Sequence, residues 1–249
     1  MADEAASGGA AEARGERGFF GRRVGKQLKP AQAAAIERHL DRLRIDLDAP
    51  PPEPLSTLFE ARIESVRLEI GFGGGEHLLH RARENPSIGF IGVEPFINGM
   101  AKLLRVVENE PLANLRVHDD DAVRLLDWLP AGSISRIELL YPDPWRKARH
   151  HKRRFVNAAN LDRIERALVP DGTFHFASDW ADYVNWTLAQ VRSHGRLSWL
   201  ASRAADWRTP FEGWPGTRYE AKAKREGRVP AYLRFHKADG TLDTAGPLA

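Results

Sequence analysis

Residues 66–84 read VRLEIGFGGGEHLLHRARE. The stretch divides into three parts: a short apolar strand (Val66 to Ile70), a turn with glycines at 71, 73, 74 and 75, and a helical segment, EHLLHRARE. The same rhythm continues downstream. IGFIGVE (Ile88 to Glu94) precedes FINGMAKLLRVVEN, and NLRVH (Asn114 to His118) precedes AVRLLDWL. ISRIELLY (Ile134 to Tyr141) is followed, past a basic run, by FVNAANLDRIERAL, and GTFHFAS (Gly172 to Ser178) by ADYVNWTLAQVRS. Five strand–helix units at this spacing predict an α/β domain, doubly wound, with a mostly parallel sheet and helices on both faces. RLSWLAS and PAYLRFH near the end read as two more strands without a helix of comparable length between them, which predicts an antiparallel C-terminal edge strand.

Upstream, the composition changes. Residues 1–18 are Ala, Gly, Glu and Arg with almost nothing to bury, so a disordered tail is expected. Residues 19–54 form a basic N-terminal extension in which Gln32 to Leu43 has helical periodicity, closed by APPPEP (Ala49 to Pro54). Residues 55–249 then form the α/β domain.

The 249 residues are 42% hydrophobic, enough for one sizeable core. The absence of cysteine excludes disulfides, thiolate nucleophiles and Cys-based metal sites. No apolar run is long enough to span a membrane, and the N-terminus lacks the apolar segment of a secretory signal, so a cytoplasmic protein is expected. The net charge is only +3, yet PDPWRKARHHKRR (residues 142–154) holds six Lys/Arg against one Asp. The body is therefore mildly acidic and carries one basic run.

In open parallel sheets, ligands bind beyond the carboxyl ends of the strands. Acids stand at each of those ends here: Glu69, Glu94, Asp121, Asp143 and Asp179. The glycine turn lets backbone approach a ligand, and Gly71 and Gly73 are candidate contacts. A dinucleotide fingerprint starting at Gly71 would need glycine where Glu76 stands, and no phosphate-binding P-loop occurs. Glu94, on the strand after the glycine turn, suits a ribose diol. A carboxylate-lined pocket for an adenosine-like group without phosphates points to S-adenosylmethionine, whose sulfonium and amine are cationic.

EIGFGGGEHL, GVEP, HDDDAVRLL, PDPWRKARHHKRR, ASDW and TRYE, in this order and spacing, closely resemble the bacterial tRNA (guanine-N7-)-methyltransferase family (TrmB type) over roughly residues 60 to 236. The resemblance implies a Rossmann-like class I methyltransferase that transfers the methyl group of S-adenosylmethionine to N7 of a guanine in the tRNA variable loop, nucleotide forty-six. Carried over motif by motif, it makes Glu69, Glu94, Asp121 and Asp143 cofactor contacts, with Asp143 also the catalytic residue. Lys147, Asp179, Thr217, Arg218, Tyr219 and Glu220 become substrate contacts, and Arg149, His150, His151, Lys152, Arg153 and Arg154 the RNA-binding run. Asp120 and Asp121 are alternatives within the acid run Asp119 to Asp121. The implied partner is tRNA, with no membrane and no obligatory protein partner.

The chemistry is consistent with these residue types. Guanine N7 has an in-plane lone pair and no proton, so no general base is needed, and alignment supplies most of the catalysis. A fixed carboxylate would stabilise the guanine as it becomes cationic. Asp143 suits this role because Pro142 and Pro144 rigidify its backbone. Glu220 has two readings: an acceptor for guanine N–H donors, or part of a T-x-x-E capping box opening the KAKRE helix. His77 and His80 lack a convergent third ligand, so no metal is expected. Trp145 and Trp180 are candidates for base stacking, and Arg22, Arg23, Lys26 and Lys29 for an extended RNA footprint. Two rivals remain at this point: a class I methyltransferase with a small-molecule or protein substrate, and a catalytically silent tRNA-binding protein.

Overall fold

A computed structural model describes residues 20–237. The expected tail at residues 1–18 lies outside the described residues. A seven-stranded sheet has the order β3-β2-β1-β4-β5-β7-β6, built from β1 (Ser65–Ile70), β2 (Ile88–Val93), β3 (Leu115–His118), β4 (Ile134–Leu140), β5 (Leu168–Ser178), β6 (Leu197–Trp199) and β7 (Ala231–Lys237). The pairs β1–β2, β1–β4, β2–β3 and β4–β5 are parallel, while β7 runs antiparallel to both β5 and β6. The doubly wound reading and its antiparallel C-terminal element are therefore observed. The antiparallel strand is the inner β7, and β6 is the edge.

The helices are α1 (Pro30–Leu43), α2 (Glu76–Glu84), α3 (Ile97–Val107), α4 (Ala122–Trp128), α5 (Ala158–Ala167), α6 (Ala181–His194), α7 (Ala205–Arg208) and α8 (Arg218–Arg225). Their starts follow local chemistry. Pro30 opens α1, where its missing N–H costs nothing. Asp121 accepts from Val123 N (3.0 Å), Asn157 from Asn160 N (3.0 Å), and Thr217 from Glu220 N (3.0 Å), capping α4, α5 and α8. The N-terminal extension packs onto the domain: Ala35, Leu40 and Leu43 join one core cluster with Leu79, Met100 and Leu104, and Ile45 N donates to Val117 O.

The central strands are two-faced, unusually for parallel strands, which are ordinarily apolar on both sides. Leu68, Ile70, Ile137, Leu139, Phe174 and Phe176 enter the main core beneath α4, α5 and α6. The alternate residues Arg67, Glu69, Arg136, Glu138 and His175 form a polar face, with Glu69 opposite Glu138 and Glu138 opposite His175 in the register. His77 from α2 completes that layer by meeting Glu69 at 2.7 Å.

Candidate active site

At the carboxyl end of the sheet lies an open cavity of about 1270 Å³. Gly71, Gly73, Glu94, Asp121, Asp143, Lys152, Arg153, Arg154, Arg218 and Tyr219 all line it, so the fold gathers these predicted residues from distant parts of the chain.

The glycine turn is tight for a physical reason. Gly73 has φ 61°, and a Cβ there would lie 3.2 Å from Arg218 Nη2. A Cβ on Gly99, at the start of α3, would fall 2.1 Å from Gly73 O, so the turn and α3 can approach only through glycine. Glu94 fixes the turn by accepting from Gly73 N (2.6 Å) and Phe96 N (2.9 Å). Burial pushes its carboxyl up to about 7 despite those two amides. Between Asp120 and Asp121 the structure discriminates by position. Asp121 lines the cavity, whereas Asp120 is paired with Arg23 (2.5 Å) and Arg124 (3.0 Å).

Asp143 follows β4 on a turn held by unusual backbone. Tyr141 (φ 52°) and Trp145 (φ 45°), both non-glycine residues in left-handed conformation, bracket Pro142-Asp143-Pro144. Each such residue costs about 1–3 kcal/mol, a cost that surrounding structure must offset. Asp143 is open to the cavity, yet the cavity walls remove enough solvent to raise its pKa.

The basic run divides. Ala148–Arg153 is a 3₁₀ turn on which Arg149 and Lys152 are exposed. The Arg153 guanidinium lies over the rings of Trp145 (5.0 Å) and Phe20 (5.7 Å). Arg154 turns inward and is 2% exposed; it donates to Pro144 O (3.0 Å) and to the Asp182 carboxylate, between the rings of Tyr183 and Trp186. This corrects one expectation: its guanidinium has no face left for an RNA phosphate. His151 is likewise drawn towards Asp182 (3.4 Å) and Trp186, while His150 packs edge-on against Trp145.

Other expected contacts sit outside the cavity lining. Glu69 is buried one layer below the turn with His77; burial raises the pKa of Glu69, and for His77 burial, which lowers the pKa, is overcome by the neighbouring Glu69 and Glu138 carboxylates, which raise it. Glu69, His77 and Glu138 bring ligand-type atoms within 4.8 Å of one another, supplying a third group that sequence spacing did not reveal. Arg67 and Arg136 stand beside Glu138 and provide the positive charge a cation would bring. Asp179 is paired with Arg228, and Arg228 and Arg146 lie over the Trp180 ring at 5.1 and 4.9 Å. Lys147 is exposed at the start of the 3₁₀ turn. Glu220 is 3% exposed and accepts from Trp214 Nε1 (2.5 Å), Tyr232 OH (2.6 Å) and Lys224, so both carboxylate oxygens are engaged within the protein.

Sequence reasoning offered Arg22 only as part of an extended RNA footprint and gave Phe20 and Gly21 no role in the cavity. Phe20, Gly21 and Arg22 line the cavity because the extension is tied across the start of α3. Asn98 accepts from Gly25 N (2.8 Å) and donates to Lys26 O (2.7 Å), and Ile97 N donates to Arg23 O (2.9 Å). The aromatic-basic composition of that segment was the available signal.

Comparison with known proteins decides the family. Residues 64–232 match a family model described as "Putative methyltransferase". The tRNA (guanine-N(7)-)-methyltransferase of Mesorhizobium japonicum is 65% identical, covering 87% of this chain and 93% of the relative. That of Chelativorans sp. is 61% identical over 89% of this chain and 96% of the relative. The chain belongs to the tRNA (guanine-N(7)-)-methyltransferase family. Solved structures bear on the fold alone. The 16S rRNA methyltransferase KamB superposes with a TM-score of 0.53 at 16% identity, covering 76% of this chain and 94% of that one. The cyclase SpnF reaches 0.51 at 14% identity, covering 79% and 85%. A methyltransferase and a cyclase share this architecture, so architecture does not fix the reaction. The cofactor of the tRNA (guanine-N(7)-)-methyltransferase family is S-adenosylmethionine, and the cavity fits it: a glycine cradle without side chains, Glu94 behind it, and carboxylates for a ligand rich in hydroxyl and cationic groups.

Proposed function

We propose that this protein methylates N7 of the guanine at nucleotide forty-six, in the variable loop of tRNA. The observation that carries this reading is the meeting of two unlike sets of residues in the lining of one cavity, the acids Glu94, Asp121 and Asp143 and the cations Lys152 and Arg153. When bound, S-adenosylmethionine supplies an electrophilic methyl group on a sulfonium.

The chain's own residues then have distinct tasks. Glu94 and Asp121 accept hydrogen bonds from ribose hydroxyls and adenosine, and the glycine turn allows close approach. Asp143, pre-set by its prolines, faces the target base and stabilises the positive charge that guanine acquires; it removes no proton, because N7 carries none. Lys147, Arg149 and Lys152 present solvated cations to phosphates, which position RNA without reading its sequence. Trp145, one face of which meets Arg153, would stack on an extruded base. Arg218 and Tyr219 bring the Thr217 to Glu220 segment to the cavity, and Asp179, just after β5, would meet the substrate beyond its lining. Residues 55–249 act as the catalytic domain and residues 19–54 as an extension that closes one wall, in a cytoplasmic enzyme that needs no protein partner.

The test is transfer of label from S-adenosylmethionine to undermodified tRNA, followed by digestion to nucleosides. Label in 7-methylguanosine is expected; label in another nucleoside, or none despite bound cofactor, contradicts the proposal.

A further inference from the structure

The acids of the cavity suit only part of the cofactor. Glu94, Asp121 and Asp143 attract hydroxyls, the sulfonium and the ammonium, but they repel the α-carboxylate that S-adenosylmethionine also carries. Free amides at the start of the helix after a glycine turn could hold a carboxylate. Here a negative charge already stands at that place: Glu76 begins α2, and its carboxylate lies so close to Gly74 that a Cβ there would fall 2.6 Å from Oε1.

A cation stands against the same turn. Arg218 Nη2 is 3.2 Å from the position of a Gly73 Cβ, and Nη1 is 3.7 Å from Glu76 Oε1. Its guanidinium lies over the Tyr219 ring at 4.9 Å and donates to Tyr219 OH at 3.1 Å, which orients the fork. The helix beneath it is anchored by the Thr217 cap and by buried Glu220, which accepts from Trp214 and Tyr232. Other cavity cations differ: Arg154 is paired with Asp182, Arg163 with Asp127, Arg153 lies over Trp145 and Phe20, and Arg22 and Lys152 are exposed; it is Arg218 that stands against the glycine turn.

We infer that Arg218 is a cofactor-binding residue, its guanidinium gripping the α-carboxylate of S-adenosylmethionine at the rim of the glycine turn, whereas the family resemblance places it among the tRNA contacts. Planar guanidinium–carboxylate pairing is the geometry arginine favours, and lysine reproduces the charge without the fork. The inference rests on the cofactor reading given above.

The experiment is calorimetric titration of the full chain and of Arg218→Met and Arg218→Lys with three ligands, beside tRNA binding by filter retention. The ligands are S-adenosylmethionine, S-adenosylhomocysteine, and 5′-methylthioadenosine, which lacks the amino-acid group. Arg218→Met should weaken the first two by about 10- to 100-fold, the range for removing a charge-assisted hydrogen bond. Methylthioadenosine and tRNA should bind as to the parent chain, and Arg218→Lys should recover part of the loss. Unchanged S-adenosylmethionine affinity with weakened tRNA would overturn the inference, as would an equal loss for all three adenosine ligands. If the parent chain itself bound no S-adenosylmethionine, the cofactor reading would fall, and this inference with it.

Discussion

Asp143 and Arg154 belong to one short stretch and touch the same cavity, but the fold uses them in opposite ways. Asp143 is left open on a strained, proline-braced turn. Arg154, of the type expected at the surface, is buried between Tyr183 and Trp186 and tied to Asp182. Between them, Lys147, Arg149 and Lys152 remain in solvent. The contrast teaches that a charge run is not one device. Aromatic residues on α6, far along the chain, decide which of its cations become structure and which remain available to a ligand.

Substitutions should separate these roles, beginning with the largest effect. Asp143→Ala should lower kcat by at least about 100-fold, as loss of a pre-organised electrostatic group does, while tRNA binding survives in a gel-shift assay. Binding that falls in step with turnover would mean that Asp143 and the cations form one RNA surface after all. Arg154→Ala should instead destabilise the protein by about 2–4 kcal/mol in denaturant unfolding, because it removes packing and empties a buried site. A variant as stable as the parent would restore Arg154 to the RNA-binding group.

Glu94 sharpens the same contrast through pH. Its folded pKa, pushed up to about 7, lies above the usual carboxylate value, so the folded state binds the extra proton. The stability from its neutral form is present below the unfolded value of about 4.5 and is lost as pH rises through about 7. Glu94→Gln should therefore be relatively more stable than the parent at pH 8 than at pH 5, as read by thermal denaturation. Cofactor affinity of the parent should rise between pH 6 and 8, because the diol needs the ionised acceptor, and the Gln variant should show a flat profile. Smallest is the surface effect. Arg149→Ala with Lys152→Ala should leave unfolding unchanged and reduce the log–log salt slope of tRNA binding by roughly 0.7–0.9 for each phosphate no longer neutralised.

Much of the fold was legible because each parallel strand carries its own apolar residues and several helices announce their starts locally, α4, α5 and α8 by a capping side chain and α1 by Pro30. The acids at the strand ends were legible for the same reason: Glu94, Asp121 and Asp143 are placed by the ends of β2, β3 and β4, which local sequence defines. Arg154, Glu220 and Glu69 were harder to read because their partners come from elsewhere: Asp182 on α6, Trp214 and Tyr232 around α8, and His77 on α2. T-x-x-E correctly marked the Thr217 cap, but nothing local could show that the Glu220 side chain turns into a buried cluster. The wall formed by Phe20 to Arg22 depends on a long-range clamp at Asn98, which no periodicity announces.

The most direct measurement maps the product. Undermodified tRNA is incubated with the protein and S-adenosylmethionine, treated to cleave at N7-methylguanine, and run beside a sequence ladder. A single new scission in the variable loop, absent with Asp143→Ala, is the predicted result. Cleavage at guanines elsewhere, or an intact strand after incorporation of methyl label, would contradict the account.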